Sequence, residues 1–579
     1  MTRRSFFAWL LVVLAVASAL RLVWLRADPP TVDVVGVGIV WHDEGAWTHN
    51  ARNRALWGTW KTDEWNPVFV APVFTALEYV SFRELGVGLW QARVVPAVSG
   101  LVAVIFLAAG LAAAGDRRTA LIGSALLATN YAFVMWNRAA LMESTMTAFI
   151  VVAWAAYAMA ERRAGWAVVA GAAVALAWFT KAAAAFFAAA IVLDVVITLA
   201  MAWLPGWRAR IGAAEPTRTQ VRAAALTLAS LAAAALAVGV MFVWPHWTEY
   251  SFYNWQVSVL RKPEYDVRQM LDRASWLPIV QSIFMRMWLV LAASAVAILA
   301  IVARWRTARP AERLLVLWVL VGLLELIVHD SGNDRRYVMF IPAMVALAAL
   351  LAGRREPILP ARLAESGHSR VLAVPLLLLL AYIVAGTALR PAFLADIASS
   401  DSHPFHRVVL LSAALAVAGT AMILWQWRRL IGWLSVRSIP APAVGALLVV
   451  AVGWNLLEFG RWAVDRRETN YEASLALGRL LPPGTLVQGK LANGLALDNR
   501  IRPIFIGNHF GNYDDRLRRD DVRYILTYDL PSVGYESQAD SGLIRELLDH
   551  YPQHHTVATF DVDETPAVDR AALIDKGPK

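Results

Sequence analysis

Residues 6–25, FFAWLLVVLAVASALRLVWL, and the short acidic stretch Trp41-His42-Asp43-Glu44-Gly45 that follows decide how this chain is read. The first is apolar for long enough to cross a hydrocarbon core of about 30 Å. The second sets two carboxylates close to where that run ends, and ionisable groups at a membrane are more often there for chemistry than for folding. Arg3 and Arg4 precede the run, Arg21 and Arg26 lie at its far end, and no small-residue cleavage site follows. It therefore reads as an uncleaved span, not a secretory leader.

The rest of the chain repeats the pattern. Hydrophobic residues make up 58% of the sequence, charged residues 17%, and the mean hydropathy is +0.50, far from a soluble globular average. Further apolar runs lie near 94–114, 119–136, 143–160, 165–180, 182–204, 222–245, 277–303, 312–330, 335–352, 371–389, 407–426 and 442–460. The expectation is a polytopic α-helical membrane protein with about 13 transmembrane helices over residues 1–460, including a first outer loop over 26–93.

Basic residues give the orientation. With a cytoplasmic N-terminus, the inner loops carry Arg117 and Arg118, Arg162 and Arg163, Arg208 to Arg222, Arg304 to Arg313, Arg354 to Arg370, and Arg428 to Arg437. This positive-inside pattern accounts for the net charge of +10, so the charge is not a nucleic-acid footprint and no nucleic-acid partner is expected. The inner (plasma) membrane is the expected location, and an odd span count puts the C-terminus outside. The chain has no cysteine, which excludes thiolate chemistry, disulfides and cysteine zinc sites. Trp24, Trp136, Trp178, Trp244, Trp305, Trp425 and Trp427 sit near span ends, where amphipathic rings prefer the interface.

Two further segments are expected outside. Residues 246–276 begin with the aromatic run His246 to Trp255, read as a helix lying in the interface plane, and then turn charged. From about 461 the apolar runs stop. A helix is predicted over Tyr471–Leu481, strands at 485–487, 504–506, 522–528 and 555–560, and helical stretches near 514–519 and 541–550: a soluble α/β domain over 461–579. It contains no Gly-rich phosphate loop and is assigned no chemistry.

The polar residues near the outer surface are the functional candidates. Asp43 and Glu44 are adjacent, so on a helix they diverge by about 100° and cannot both aim at one small target. One is then the working carboxylate and the other its support, or both cap a short helix. Arg138 and Glu143 fall in a turn too short to leave the membrane surface, where they face the same pocket or pair with each other. Lys181 lies in the next such turn and can also snorkel to headgroups. Arg335 and Arg336 break the positive-inside trend, which favours holding an anion. Asp194, Arg286 and Glu325 are ionisable within the spans and need partners, with pairing of Arg286 to Glu325 or Asp194 one option and a lipid phosphate another. Carboxylates and cations collected on one side suit transfer from a lipid-linked phosphate donor: the leaving phosphate needs Arg or Lys, and the acceptor needs a base.

His42-Asp43-Glu44-Gly45, Trp65-Asn-Pro-Val-Phe-Val-Ala-Pro72, Trp90-Gln-Ala-Arg93-Val-Val-Pro96, Asn137 to Glu143 and Arg335-Arg336-Tyr337 to Pro342 together resemble the GT-C glycosyltransferases related to protein O-mannosyltransferases and aminoarabinose transferases. The resemblance spans roughly residues 1–350. It implies a polyprenyl-phosphate-linked sugar as donor, inverting transfer on the outer face, and a protein, lipid or glycan acceptor. It implies catalytic roles for Asp43, Glu44 and Glu143, with Asp43 as base. Donor phosphate contacts would fall on Arg138, Lys181, Arg335 and Arg336, and sugar or acceptor contacts on His42, Trp65, Asn66 and Tyr337. Aminoarabinose transferases carry a lysine before a double proline where this chain has Val70-Ala71-Pro72-Val73, so lipid A modification is disfavoured. No cofactor is firmly implied; a divalent metal held by Asp43, Glu44 and Glu143 is one option, while His42, His246 and His329 read as separate interface histidines. A transporter or flippase of lipid-linked sugars is the rival reading, but it should show an inverted repeat and charges at the midplane.

Overall fold

The computed structural model describes residues 1–30, 39, 41–255, 286–329, 334–354, 367–389, 403–436, 439–507, 511–528, 538–563 and 568–578. The chain builds a helical bundle followed by a small mixed domain. The helices in order are α1 (Arg3–Leu22), α2 (His42–Trp57), α3 (Pro72–Leu85), α4 (Leu89–Ala114), α5 (Arg117–Thr129), α6 (Tyr131–Trp136), α7 (Met142–Ala160) and α8 (Trp166–Thr180). They continue with α9 (Ala185–Trp203), α10 (Pro205–Ile211), α11 (Arg218–Val238), α12 (Trp247–Trp255), α13 (Trp288–Ala303), α14 (Pro310–His329) and α15 (Ile341–Gly353). Then come α16 (Gly367–Leu389), α17 (His403–Trp425), α18 (Trp427–Val436) and α19 (Ala441–Val464).

Among the described residues, seven helices are long and apolar enough to cross a membrane, and further apolar helices are shorter. The protein is a multi-pass membrane protein. The predicted run 119–136 is broken at Asn130, whose side chain accepts from Phe133 N at 2.9 Å while Asn455 of α19 accepts from Tyr131 N at 2.7 Å. One polar residue thus ends α5 and caps α6. The expected interface helix at 246 exists as α12, but it continues from α11 through a π turn at Gly239–Val243 and a short 3₁₀ turn, with no loop between. Residues 256–276 of that segment lie outside the described residues.

Two of the ionisable groups singled out inside the bundle have charged partners, as a low-dielectric interior favours. Asp194 of α9 takes Arg313 Nε of α14 at 2.7 Å and the Tyr157 hydroxyl at 2.8 Å. Arg286 pairs with Glu458 of α19. The sequence had offered Asp194 or Glu325 for Arg286; Asp194 is instead taken up by an arginine counted among the orientation-setting inner-loop residues, and Glu325 lies 3.5 Å from Arg336.

After α19 the chain forms α20 (Thr469–Leu480), β1 (Leu486–Gln488), α21 (Lys490–Gly494), β2 (Arg502–Ile504), β3 (Tyr524–Tyr528), α22 (Gln538–Asp549), β4 (His555–Asp563) and β5 (Val568–Asp575). The sheet order is β2-β1-β3-β5-β4, with β2, β1 and β3 parallel and β5 antiparallel to both β3 and β4. Strand β5 and helix α21 were not foreseen. The predicted helix at 514–519 is a series of turns, because its charges have no apolar stripe to bury; Arg519 instead gathers Asp515 at 3.6 Å and Asp521 at 2.8 Å.

The mixed domain is fastened to the first loop. Arg52 of α2 donates to the carbonyls of Ala496, Asn499 and Ile501 at 2.9–3.1 Å. Asp28 accepts from Thr469 N at 2.7 Å, and Asp498 accepts from Leu89 N at 3.2 Å. Two glycines set the closest approach. A Cβ on Gly45 would stand 1.8 Å from the Asn493 carbonyl oxygen, and one on Gly494 would stand 2.9 Å from His42 Cα. Only residues without side chains let α21 lie this close against the start of α2.

Candidate active site

Helix α2 begins at the acidic stretch, and its two carboxylates leave on different faces, as the 100° step dictates. Asp43 Oδ2 accepts from Arg335 Nη1 at 2.7 Å. Arg335 belongs to a 3₁₀ segment, Asp334–Phe340, leading into α15. Its Nε stands 3.5 Å from Glu143 Oε1 in the first turn of α7, and Glu143 in turn pairs with Lys181, the residue between α8 and the helical turn before α9. Arg336 stands 3.5 Å from Glu325. Four separated stretches of sequence therefore meet at one end of the bundle.

The other oxygen of Asp43 looks toward the mixed domain. Oδ1 is 3.7 Å from His42 Nε2, and His42 Nδ1 is 3.4 Å from the Tyr528 hydroxyl of β3. Burial alone would raise the Asp43 carboxyl; the charges of Arg335, Lys490 and His42 outweigh it and hold Asp43 below the ordinary carboxylate range. Lys181 moves the opposite way. Burial, opposed by Glu143 and reinforced by Arg335 and Arg336, pushes its ammonium down to about 8.

Glu44 serves a different purpose. It is 2% exposed and receives Arg93 in a bidentate pair, Nε to Oε1 at 2.8 Å and Nη2 to Oε2 at 2.7 Å, with Ala140 N donating to Oε1 at 2.7 Å. Arg93 Nη1 also reaches the carbonyls of Leu25 and Ala27, both at 2.8 Å. This knot ties α2, α4, the end of the first span and the 137–141 turn together, and leaves Glu44 no oxygen for a substrate.

Other expected site residues are also spent on structure. Arg138 is buried, donates to the carbonyls of Leu20, Arg21 and Trp24, and lies over the Trp462 ring at 4.6 Å. The fold does not bring it to the Asp43 cluster. Trp65 donates to Ala46 O at 2.8 Å and stacks on Phe505 at 4.5 Å. Asn66 accepts from Asn50 and donates to the Tyr253 hydroxyl at 3.1 Å. Both hold the first loop against α12 and the mixed domain, and Tyr337 is buried. Two residues were missed, Lys490 and Tyr528, because they lie in the tail and reach Asp43 and His42 only through docking. No local pattern marks them.

Among the described residues, no three His, Cys, Asp or Glu side chains are arranged to hold a metal ion. Of the three carboxylates considered for one, Glu44 faces Arg93, while Asp43 and Glu143 have the Arg335 guanidinium between them. This donor set does not fit a divalent cation. His246 is bonded to Phe242 O in a separate aromatic cluster, and the side chain of His329 lies outside the described residues.

The model of the dolichyl-phosphate-mannose-protein mannosyltransferase family matches residues 70–211, the stretch that carries Glu143 and Lys181. No curated protein sequence matches the chain. Two solved structures of ArnT from Cupriavidus metallidurans are similar over 99% of both chains at 17% identity. The TM-score is 0.52 for the apo form and 0.53 for the form bound to undecaprenyl phosphate. The likeness spans membrane bundle and mixed domain alike, and on it the chain has the fold of the GT-C glycosyltransferases.

Proposed function

We propose that the protein is an integral-membrane glycosyltransferase that moves a sugar from a polyprenyl-phosphate donor to an acceptor, with inversion, at the outer face of the inner membrane. The observation that carries this reading is the chain Asp43–Arg335–Glu143–Lys181, a carboxylate set against cations where the bundle meets the mixed domain. The similar ArnT binds undecaprenyl phosphate, which supports a lipid phosphate as the anion here. The arginine-rich loops at the opposite end support a cytoplasmic N-terminus and an outward mixed domain.

Asp43 is the catalytic base. Held ionised by Arg335, it receives the proton of an acceptor hydroxyl or amine as the acceptor atom attacks the anomeric carbon. The bond to the lipid phosphate oxygen breaks on the opposite face of the sugar, which inverts the configuration. Its low basicity suits a late, concerted proton transfer, in which the acceptor becomes acidic only as the new bond forms. The polyprenyl phosphate leaves as a monoester anion, its charge met by Lys181, Arg335 and Arg336, and needs no general acid. Glu143 is a positioning residue that holds Lys181 and Arg335. Because the carboxylates are occupied by side-chain cations, the reaction runs without a divalent ion, and exhaustive chelation leaves the rate unchanged. The acceptor is a protein, lipid or glycan.

Asp43→Asn tests the reading. Sugar transfer by the reconstituted protein should fall about 10²- to 10⁴-fold, while binding of polyprenyl phosphate stays within a few-fold. Transfer at the normal rate refutes the assignment of the base; undiminished movement of lipid-linked sugar between leaflets, without any transfer, favours a flippase.

A further inference from the structure

The charges around Asp43 do not divide evenly between its two sides. On the bundle side, Lys181, Arg335 and Arg336 face Glu143, Glu325 and Asp43 itself, so among the described residues three cations are matched by three carboxylates. On the side of the mixed domain stands Lys490, the first residue of α21, close enough for its charge to act on Asp43. Among the described residues its ammonium has no ion pair or hydrogen bond, and it is only partly covered. It is also held in place with some care. The Gly45 and Gly494 contacts press α21 onto α2, and Asn493 Nδ2 lies 3.2 Å from His49 Nδ1, while Nε2 of the same ring is 2.9 Å from Asp63 Oδ1. A lysine that starts a helix pressed onto α2, near enough for its charge to act on Asp43 and unpaired among the described residues, is a cation that the bundle-side cluster does not use.

We propose that Lys490 is a substrate-recognition residue that reads an anionic oxygen group, carboxylate or phosphate, carried by the transferred sugar or by the acceptor. This rests on the glycosyltransferase reading above. The lipid phosphate belongs to the bundle side, where Lys181, Arg335 and Arg336 meet it. Asp43 Oδ2 faces that side and Oδ1 faces His42 and Tyr528. A sugar whose anomeric carbon lies at Asp43 therefore extends its far end, or meets its acceptor, against α21. An anion there supplies the charge that Lys490 lacks. A neutral substrate would leave this ammonium, on the mixed-domain side of Asp43, without an anionic partner among the described residues.

The test compares glycans and glycolipids, by mass spectrometry, from cells lacking the protein and from cells expressing the full-length wild type, Lys490→Ala, Lys490→Met or Lys490→Arg. The expected wild-type product carries a carboxylate or phosphate on the added sugar or at the acceptor site, and the fragment masses tell which. Lys490→Ala and Lys490→Met lower product about tenfold or more, and Lys490→Arg restores most of it. In purified protein, the same Ala and Met variants bind undecaprenyl phosphate as the wild type does, whereas Arg335→Ala does not; unchanged binding also shows that the variants are folded. A product neutral at both positions, full activity of Lys490→Ala, or loss of undecaprenyl phosphate binding in Lys490→Ala and Lys490→Met overturns the inference and leaves the function standing. If wild-type and empty cells give the same glycans, the function itself fails and the inference with it.

Discussion

Asp43 and Glu44 are neighbours on one helix, of like charge, and they end in opposite circumstances. Asp43 has one oxygen on Arg335 and the other toward His42, at the junction of bundle and mixed domain. Glu44 has both oxygens filled by Arg93 and Ala140 N, well inside the protein. One face of α2 keeps a charge available; the other consumes a charge to hold four segments in register. Buried ion pairs cost desolvation that their attraction only partly returns, so a pair with five hydrogen bonds around it is better explained by the geometry it enforces than by net stability. That geometry serves Asp43. The knot at Glu44 fixes the direction in which the next residue upstream points.

The largest expected effect separates the two faces by activity. Asp43→Asn lowers transfer about 10²- to 10⁴-fold with little change in the melting temperature of the purified protein. Glu44→Gln does the reverse: removing the charge leaves Arg93 buried and unbalanced, at a cost of about 3–5 kcal/mol of stability. Thermal unfolding in detergent should register that loss, while the protein that remains folded keeps most of its turnover. Should Glu44→Gln instead abolish transfer in a fully stable protein, the division of labour between the faces is wrong.

Hydropathy made the bundle legible, because twenty apolar residues have few other homes than a membrane or a helical core. The acidic stretch was legible too, as a site and as a pair unable to aim together. Which carboxylate works was not written locally: it depends on Arg93 from α4 and Arg335 from far along the chain, and no periodicity encodes those meetings. Arg138 misled for the same reason. Its sequence position beside Glu143 is shared, yet its guanidinium turns to the free carbonyls at the end of α1. Lys490 and Tyr528 were out of reach because the tail shows no binding motif, and their role comes only from docking.

The docking itself can be tested at intermediate size. Gly494→Ala puts a methyl 2.9 Å from His42 Cα and 2.5 Å from the Trp41 ring. Backbone and a buried tryptophan yield little, so the contact should open at a cost of about 1–3 kcal/mol. The effect is expected in two places at once: a lower melting temperature, and a loss of turnover exceeding the loss of folded protein, because α21 and Lys490 move away from Asp43. A stability loss without any turnover loss would place the mixed domain outside the reaction.

The smallest effect is a pH limb, and its sign follows from the two groups that move in opposite directions. Asp43 is held below the ordinary carboxylate range and so stays ionised through neutral pH; it gives no break there. Lys181, pushed down to about 8, carries its charge below that pH and loses it above. The second-order rate constant kcat/KM for the lipid donor, which reports the free enzyme, should therefore be level from about pH 6 to 7.5 and decline above 8, by at most about tenfold per pH unit. Lys181→Arg removes the limb, since a guanidinium stays protonated throughout. An acid limb near pH 5 or 6 in the wild type would mean that a group other than Asp43 as placed here accepts the proton. The face of α2 that Arg335 keeps charged would then orient the reaction without taking part in it.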